Sequence, residues 1–242
     1  MKITDFLLFA ACMVFFAGFM SCQPKTENVS EDKPTTTEAN VEKEAKNPVN
    51  DELISSFIKL GVNVEEGIPE GLATGAQAPL FKAKDSKGEL IDLENMLQDG
   101  PVVLQFYRGE WCPVCSRYLN AFQDSLSLIE AKGAKVIAVA PETSENVEKA
   151  IESFPITYPV IADTELQIMN AYKVTFKVTD AYVDRIKNSR LKTDIAAHNG
   201  ADAAYLPVPA TYVINQDKSI GFVQFDIDYR NRASVESILN HL

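Results

Sequence analysis

The stretch Val102-Val103-Leu104-Gln105-Phe106-Tyr107-Arg108-Gly109-Glu110-Trp111-Cys112-Pro113-Val114-Cys115 decides the fold. Val102 to Tyr107 is an apolar, β-branched and aromatic run of the kind that forms a buried strand. Pro113 suits the first turn of a helix, which places Cys112 near its N-cap. Beyond it Tyr118, Leu119, Phe122, Leu126 and Ile129 keep one face inward, and the helix is expected to end near Gly133. A strand running into a helix thus carries a CxxC pair at the junction. Unsatisfied N–H groups and the positive end of the helix macrodipole favour thiolate there, and cysteines in such places fall to pKa values of roughly 3.5 to 7.5. Redox chemistry is the leading expectation, with Cys112 and Cys115 as catalytic residues.

The chain of 242 residues has only four cysteines, and the other two, Cys12 and Cys22, lie in an export signal. Lys2 gives a charged start, Phe6 to Met20 an apolar core, and Ser21 a small residue before Cys22. That core is short for a membrane span, which needs about 20 apolar residues, although an uncleaved anchor is the competing reading. Phe19-Met20-Ser21-Cys22 resembles a bacterial lipobox, with residues 1–21 as signal peptide and Cys22 as the lipidated residue. Residues 22–50 are Gln-, Pro-, Lys-, Thr-, Glu- and Asn-rich, too polar to fold alone, and are expected to act as a flexible tether. The body, residues 51–242, is therefore expected outside the cytoplasm, in the bacterial cell envelope or periplasm, held to a membrane by lipid. The net charge of -11 argues against nucleic acid or an anionic bilayer surface as partner.

Within the body the pattern predicts a helix over about Asp51–Leu60, a hairpin turning at Asp85-Ser86-Lys87-Gly88, and a short helix over Leu93–Leu97. Strands follow at Val136–Ala140 and Tyr158–Ala162, with a helix over about Ser144–Phe154 between them. Thr164-Glu165-Leu166-Gln167 reads as a capping box. An insertion between Val174 and Leu206 carries Val178, Tyr182 and Ile186 on a helix, as a packed excursion or a substrate wall. Strands Thr211–Ile214 and Ile220–Phe225 flank the turn Asn215–Lys218, and a helix over about Ser234–His241 closes the chain. Alternating strands and helices followed by a hairpin imply an α/β fold, a mixed sheet flanked by helices.

Phe106-Tyr107, Trp111-Cys112-Pro113-Val114-Cys115, Leu206-Pro207-Val208-Pro209-Ala210-Thr211-Tyr212-Val213-Ile214 and Asp228-Tyr229-Arg230 together resemble the alkyl hydroperoxide reductase/thiol-specific antioxidant group, in its peroxiredoxin-like branch with a CxxC. The resemblance covers roughly Gly75 to Leu242 and implies a thioredoxin-like fold. It implies a cis peptide before Pro209, facing the cysteines, with Val208 presenting backbone groups to a partner. A typical peroxiredoxin follows Phe-Tyr with Pro, Thr and the peroxidatic Cys, and has an Arg before the later strand. Here those positions fall on Arg108, Cys112, Cys115 and Pro209, so only the cysteine and Tyr107 are kept. The missing hydroxyl and guanidinium would hold the peroxide as its O–O bond breaks. Arg108, Arg230 or Arg232 could supply a replacement cation.

Two enzymatic mechanisms fit. In a thioredoxin-like one, Cys112 is the exposed thiolate that attacks a disulfide, and Cys115 resolves the mixed disulfide. In a peroxidase one, Cys115 becomes the sulfenic acid and Cys112 resolves it. Both end in a Cys112–Cys115 disulfide that a thioredoxin-like donor must reduce, with a hydroperoxide or a protein disulfide as substrate and no cofactor or metal needed. Trp111 is expected to pack the motif against the core; Tyr107, Arg108, Trp111, Pro113, Val208 and Pro209 make up the expected substrate- or partner-facing set. A non-enzymatic or metal-binding lipoprotein is the alternative of another class. Zinc normally takes four ligands, and the body offers one CxxC with His198 and His241. Paired cysteines with a histidine also suit copper, but His198 reads as a loop residue and His241 as a partner of its own helix end.

Overall fold

The structure, a computed structural model, describes residues 48–242. The expected signal, Cys22 and the tether up to residue 47 lie outside the described residues.

The helix α1 (Pro48–Lys59) leads into the hairpin of β1 (Lys82–Lys84) and β2 (Leu90–Asp92), and α2 (Leu93–Asp99) follows at once. Asp92 caps α2 by accepting from the N–H groups of Glu94 and Asn95. The central sheet is built on β3 (Val102–Phe106). Parallel to it run β4 (Lys135–Ala140) and then β5 (Val160–Ala162); on its other side lie the antiparallel β8 (Ala210–Ile214) and β9 (Ile220–Phe225). The order β5-β4-β3-β8-β9 is the mixed sheet expected from the alternation of elements. Every residue of β3 and β8 is buried, because both faces are covered.

Side chains alternate along β3 and so divide the core in two. Val102, Leu104 and Phe106 join Ile137, Val139, Tyr172 and Tyr212 on one face. There the Tyr172 ring packs 5.3 Å from both Phe106 and Tyr212. Val103 and Tyr107 point to the other face, with Leu119 and Phe122 of α3 (Pro113–Asp124) and both body cysteines. The strand that ends at the motif therefore also supports the helix that begins there.

Some local expectations are corrected. The helix after Pro113 breaks at Ser125, whose N–H bonds back to Gln123 and Phe122, and restarts as α4 (Leu126–Glu130). The capping box does not form. Leu166 takes a left-handed conformation, φ 59°, and α6 (Gln167–Ala171) is held instead by the buried Asp163, which accepts from the Met169 N–H at 2.8 Å. α5 (Ser144–Ser153), capped by Thr143, lies between β4 and β5 in sequence as expected.

The insertion is more ordered than its sequence suggests. β6 (Thr175–Lys177) pairs with β7 (Tyr205–Pro207), and between them run α7 (Asp180–Asn188) and α8 (Ile195–His198). Val178, Tyr182 and Ile186 are buried in the same core as the cysteines. Ser234 caps the closing helix, α9 (Val235–Leu239). No helix among the described residues is long and apolar enough to cross a membrane.

The loops before β3 and β4 approach so closely that a Cβ on Gly100 would stand 2.0 Å from the Gly133 carbonyl oxygen, with backbone on both sides. Gly100→Ala is therefore expected to cost about 1–3 kcal/mol in urea unfolding, as overpacking does. Leu128→Ala, at a side chain 55% exposed, should stay within about 0.5 kcal/mol.

Candidate active site

β3 ends at Phe106, and Tyr107 continues its direction with an N–H bond to the Val139 carbonyl at 3.1 Å. The chain then turns through Gly109, φ 142°, where a Cβ would meet the Trp111 indole nitrogen at 2.6 Å and a Glu142 carboxylate oxygen at 3.2 Å. Only glycine fits this corner. α3 opens at Pro113 with Cys112 as its N-cap, the Cys112 sulfur accepting the Cys115 N–H at 3.4 Å. Both cysteines are free, and their sulfurs lie 2.6 Å apart. The helix junction thus brings the predicted pair together.

Cys112 is not the exposed thiol that its N-cap position suggests. Both residues have no accessible surface, and two arginines lie against them. Arg108, itself only 5% exposed, places Nη2 3.2 Å from the Cys112 sulfur and Nη1 2.7 Å from the Tyr182 hydroxyl. Its guanidinium carbon lies 3.5 Å from the centre of the Tyr229 ring and 5.3 Å from that of Trp111. Arg232 reaches in from the loop after β9, with Nη2 3.3 Å from the Cys115 sulfur and Nε donating to the Tyr229 carbonyl at 2.8 Å. Arg230 is not at the site and pairs with Asp228 on the surface.

These cations govern ionisation. Burial alone would push the Cys115 thiol up. The hydrogen bond with Cys112, the Arg232 and Arg108 charges and a backbone hydrogen bond outweigh it and hold Cys115 at about 5. Cys112 moves up, because it bonds to Cys115, is buried and faces the charge that Cys115 carries; Arg108 opposes this only in part. One proton is shared, so the two values belong to the pair. Burial works against the Arg108 cation too, but Cys112, Cys115 and Tyr182 keep it protonated.

Glu142 is a site residue that was not expected from the sequence. It follows β4, is wholly buried, and accepts from the Tyr107 hydroxyl at 2.8 Å on one oxygen and from the Glu110 N–H at 2.8 Å on the other. The second oxygen also lies 2.9 Å from His198 Nε2. A carboxylate is buried at this cost only when such partners surround it. It pins the loop that leads into the motif. A charged residue ending the apolar run Lys135–Ala140 was the available signal, but its partners are 32 to 56 positions away.

Tyr107 therefore faces Glu142 in the interior rather than a partner. Burial and the neighbouring Glu142 charge and hydrogen bond push its phenol well above the ordinary value. Trp111 packs against the core at 7% exposure, as expected, and Pro113 is exposed beside it. Together with Arg190 and His198 they line a groove of about 870 Å³. Val208 is buried and its N–H donates to the Val174 carbonyl at 2.7 Å, so that donor is not offered to a partner. Pro209 is buried where β7 passes into β8. His241 Nδ1 donates to the Ser237 carbonyl at 2.7 Å, on its own helix end. Among the described residues no three His, Cys, Asp or Glu side chains converge as metal ligands would.

The lowered Cys115 value ties stability to pH. An acid whose folded-state pKa lies below its unfolded one contributes fully above the unfolded value and loses that contribution as pH falls through the folded one. The dithiol form should gain stability between pH 9.0, the ordinary thiol value, and about 5 in the upward direction, relative to a disulfide form that cannot ionise. Urea unfolding of both forms across this window checks it, and parallel curves would contradict it. Arg232→Gln should raise the midpoint of the thiolate ultraviolet absorbance by about one pH unit.

Similar proteins are found both by sequence and by fold. The chain is 33% identical over 122 residues to the thiol-disulfide oxidoreductase ResA of Geobacillus thermodenitrificans, covering 50% of this chain and 68% of that one. It is also 33% identical over 104 residues to a putative peroxiredoxin, bcp, of Helicobacter pylori, covering 43% and 68%. The peroxidoxin BcpB of Mycobacterium tuberculosis superposes with a TM-score of 0.54 at 21% identity, over 70% of this chain and 96% of that one. A peroxiredoxin 6 mutant from Arenicola marina gives 0.55 at 17% identity, over 70% and 71%. These neighbours show the thioredoxin-like fold, and the relatives are thiol-dependent oxidoreductases. The AhpC/TSA family profile matches residues 74–223, well over half of the sequence, and the chain belongs to that family.

Proposed function

We propose that this protein reduces hydroperoxides through Cys115 and Cys112, in the peroxidase sense of the two mechanisms the sequence allowed. The observation that carries the reading is the Cys115 sulfur, out of solvent and 3.3 Å from Arg232 Nη2, with Arg108 on its partner Cys112; these cations hold the Cys115 thiol below its ordinary value. A thiolate is the nucleophile in such chemistry. The two arginines stand in for the hydroxyl and guanidinium that the sequence lacks at the usual peroxiredoxin positions. Arg108 Nε, buried without an acceptor among the described residues, is a further donor for a peroxide oxygen.

In the cycle, the Cys115 sulfur attacks one oxygen of ROOH and the O–O bond breaks. Cys115 becomes a sulfenic acid, and the alkoxide takes a proton and leaves as ROH. Cys112 then attacks the Cys115 sulfur, forming the disulfide; its own proton and the expelled hydroxide make water. Two thiols on an external thioredoxin-like donor restore the pair. The body works outside the cytoplasm, tethered through a lipid on Cys22; the apolar stretch Phe6–Met20 and the polar segment after it support this.

A second reading, protein disulfide reduction, is favoured by the likeness to ResA and by the exposed Pro113 beside the pair. Single variants separate the two. With hydroperoxide, Cys112→Ser and Cys115→Ser should both lose more than about 99% of turnover, and oxidised Cys115 should accumulate in Cys112→Ser by mass spectrometry. A stable mixed disulfide on Cys112 in the Cys115→Ser protein, with no peroxide consumed by wild type, would favour the second reading.

A further inference from the structure

The proposed cycle asks the sulfur pair to meet two very different molecules, a hydroperoxide and then a protein dithiol. Yet neither sulfur has accessible surface. Arg108 bridges from Cys112 to the ring of Tyr229, 3.2 Å from the one and 3.5 Å from the centre of the other. Tyr229 sits on the loop between β9 and α9, residues 226–234. Arg232, from the same loop, fastens it to Cys115. The loop's other polar contacts are internal: Asp226 accepts from the Asp228 N–H and from Asn231, and Asp228 is engaged by Arg230. The Tyr229 side chain also lines a groove of about 730 Å³ that opens to solvent, walled by Tyr182, Arg185, Ile186 and Leu191. Tyr229 thus borders an open groove and, through Arg108, a closed dithiol.

We propose that Tyr229 is a specificity-determining gate: stacked on Arg108 it shuts the dithiol to bulky reagents while small side-chain motions let a molecule the size of hydrogen peroxide through, and with its loop displaced it admits a protein dithiol to the disulfide. This rests on the dithiol–disulfide cycle proposed above. Charge makes the gate respond to the step. In the dithiol form an anionic sulfur faces both guanidiniums. Oxidation by ROOH takes two electrons, the one remaining thiol proton and one proton from solvent into ROH and water, and the resulting disulfide is neutral. Arg108 then keeps only the Tyr182 hydroxyl, the aromatic rings and the more distant Asp228 charge, and a buried cation without a close anion is poorly held. The gate therefore loosens over the form that must meet a protein.

The test labels the reduced wild type, Tyr229→Phe and Tyr229→Ala with two thiol reagents, methyl methanethiosulfonate and a maleimide carried on a polyethylene glycol chain. Tyr229→Ala should raise the polymer rate relative to the small reagent by about tenfold, the gain in open population expected on losing a desolvated cation–π contact. Tyr229→Phe keeps the ring and should match wild type. An unchanged ratio in Tyr229→Ala, or a Tyr229→Phe protein that behaves like Tyr229→Ala, overturns the gate. Should Tyr229→Ala fail to fold, amide exchange over residues 226–234 in wild type decides: faster exchange in the disulfide form supports the gate, and equal protection in both forms overturns it. Hydroperoxide turnover with dithiothreitol as reductant is measured alongside. Its absence in wild type would remove the peroxidase reading, while the labelling ratio would still judge the gate.

Discussion

Two guanidiniums packed against two buried sulfurs are the interaction on which the rest of this site depends. Each sulfur has one arginine, Arg108 on Cys112 and Arg232 on Cys115, at 3.2 and 3.3 Å. Burial by itself would make both thiols poor acids, and a lone buried cation would be costly. Brought together, each charge makes the other tolerable. The helix N-terminus adds the Cys115 N–H on the Cys112 sulfur, and the aromatic rings of Tyr229, Trp111 and Tyr118 surround the cations.

The scaffold has to present those groups from distant parts of the chain. β3 delivers Arg108 and ends in the Gly109 corner, α3 delivers the cysteines, α7 contributes the Tyr182 hydroxyl, and the loop after β9 contributes Tyr229 and Arg232. Glu142 keeps the corner in place. Its bonds to Tyr107, Glu110 and His198 tie the end of β3 and the start of the motif to β4 and α8.

The sheet and the cysteine pair were legible because their signals are local. An apolar run leading into CxxC, with Pro113 in place for a first helical turn, fixes a strand, a corner and a helix within fourteen residues. The arginines were legible only as candidates. Arg108 reads as surface until Tyr182, 74 positions on, and Tyr229 close over it. Arg232 and Arg230 are equivalent in sequence; the fold sends one to Cys115 and pairs the other with Asp228. The capping box failed for a related reason, since a buried Asp163 outcompeted Thr164 for the free N–H groups of α6. In the insertion, helical spacing identified Tyr182 as core but gave no hint that its hydroxyl would reach the active-site arginine.

A fold shared by peroxidases and disulfide reductases leaves the reaction to be decided by the sulfurs' surroundings. In the function proposed, a shielded, cation-held thiolate on the second cysteine favours attack on a small oxidant over exchange with a large one. The most direct measurement is stopped-flow: one reduced sample, mixed with hydrogen peroxide or a small alkyl hydroperoxide, and separately with insulin. Oxidation of the pair by hydroperoxide is expected at a second-order rate constant about a hundredfold or more above that for insulin disulfides. Insulin reduction at the same rate or faster would contradict it.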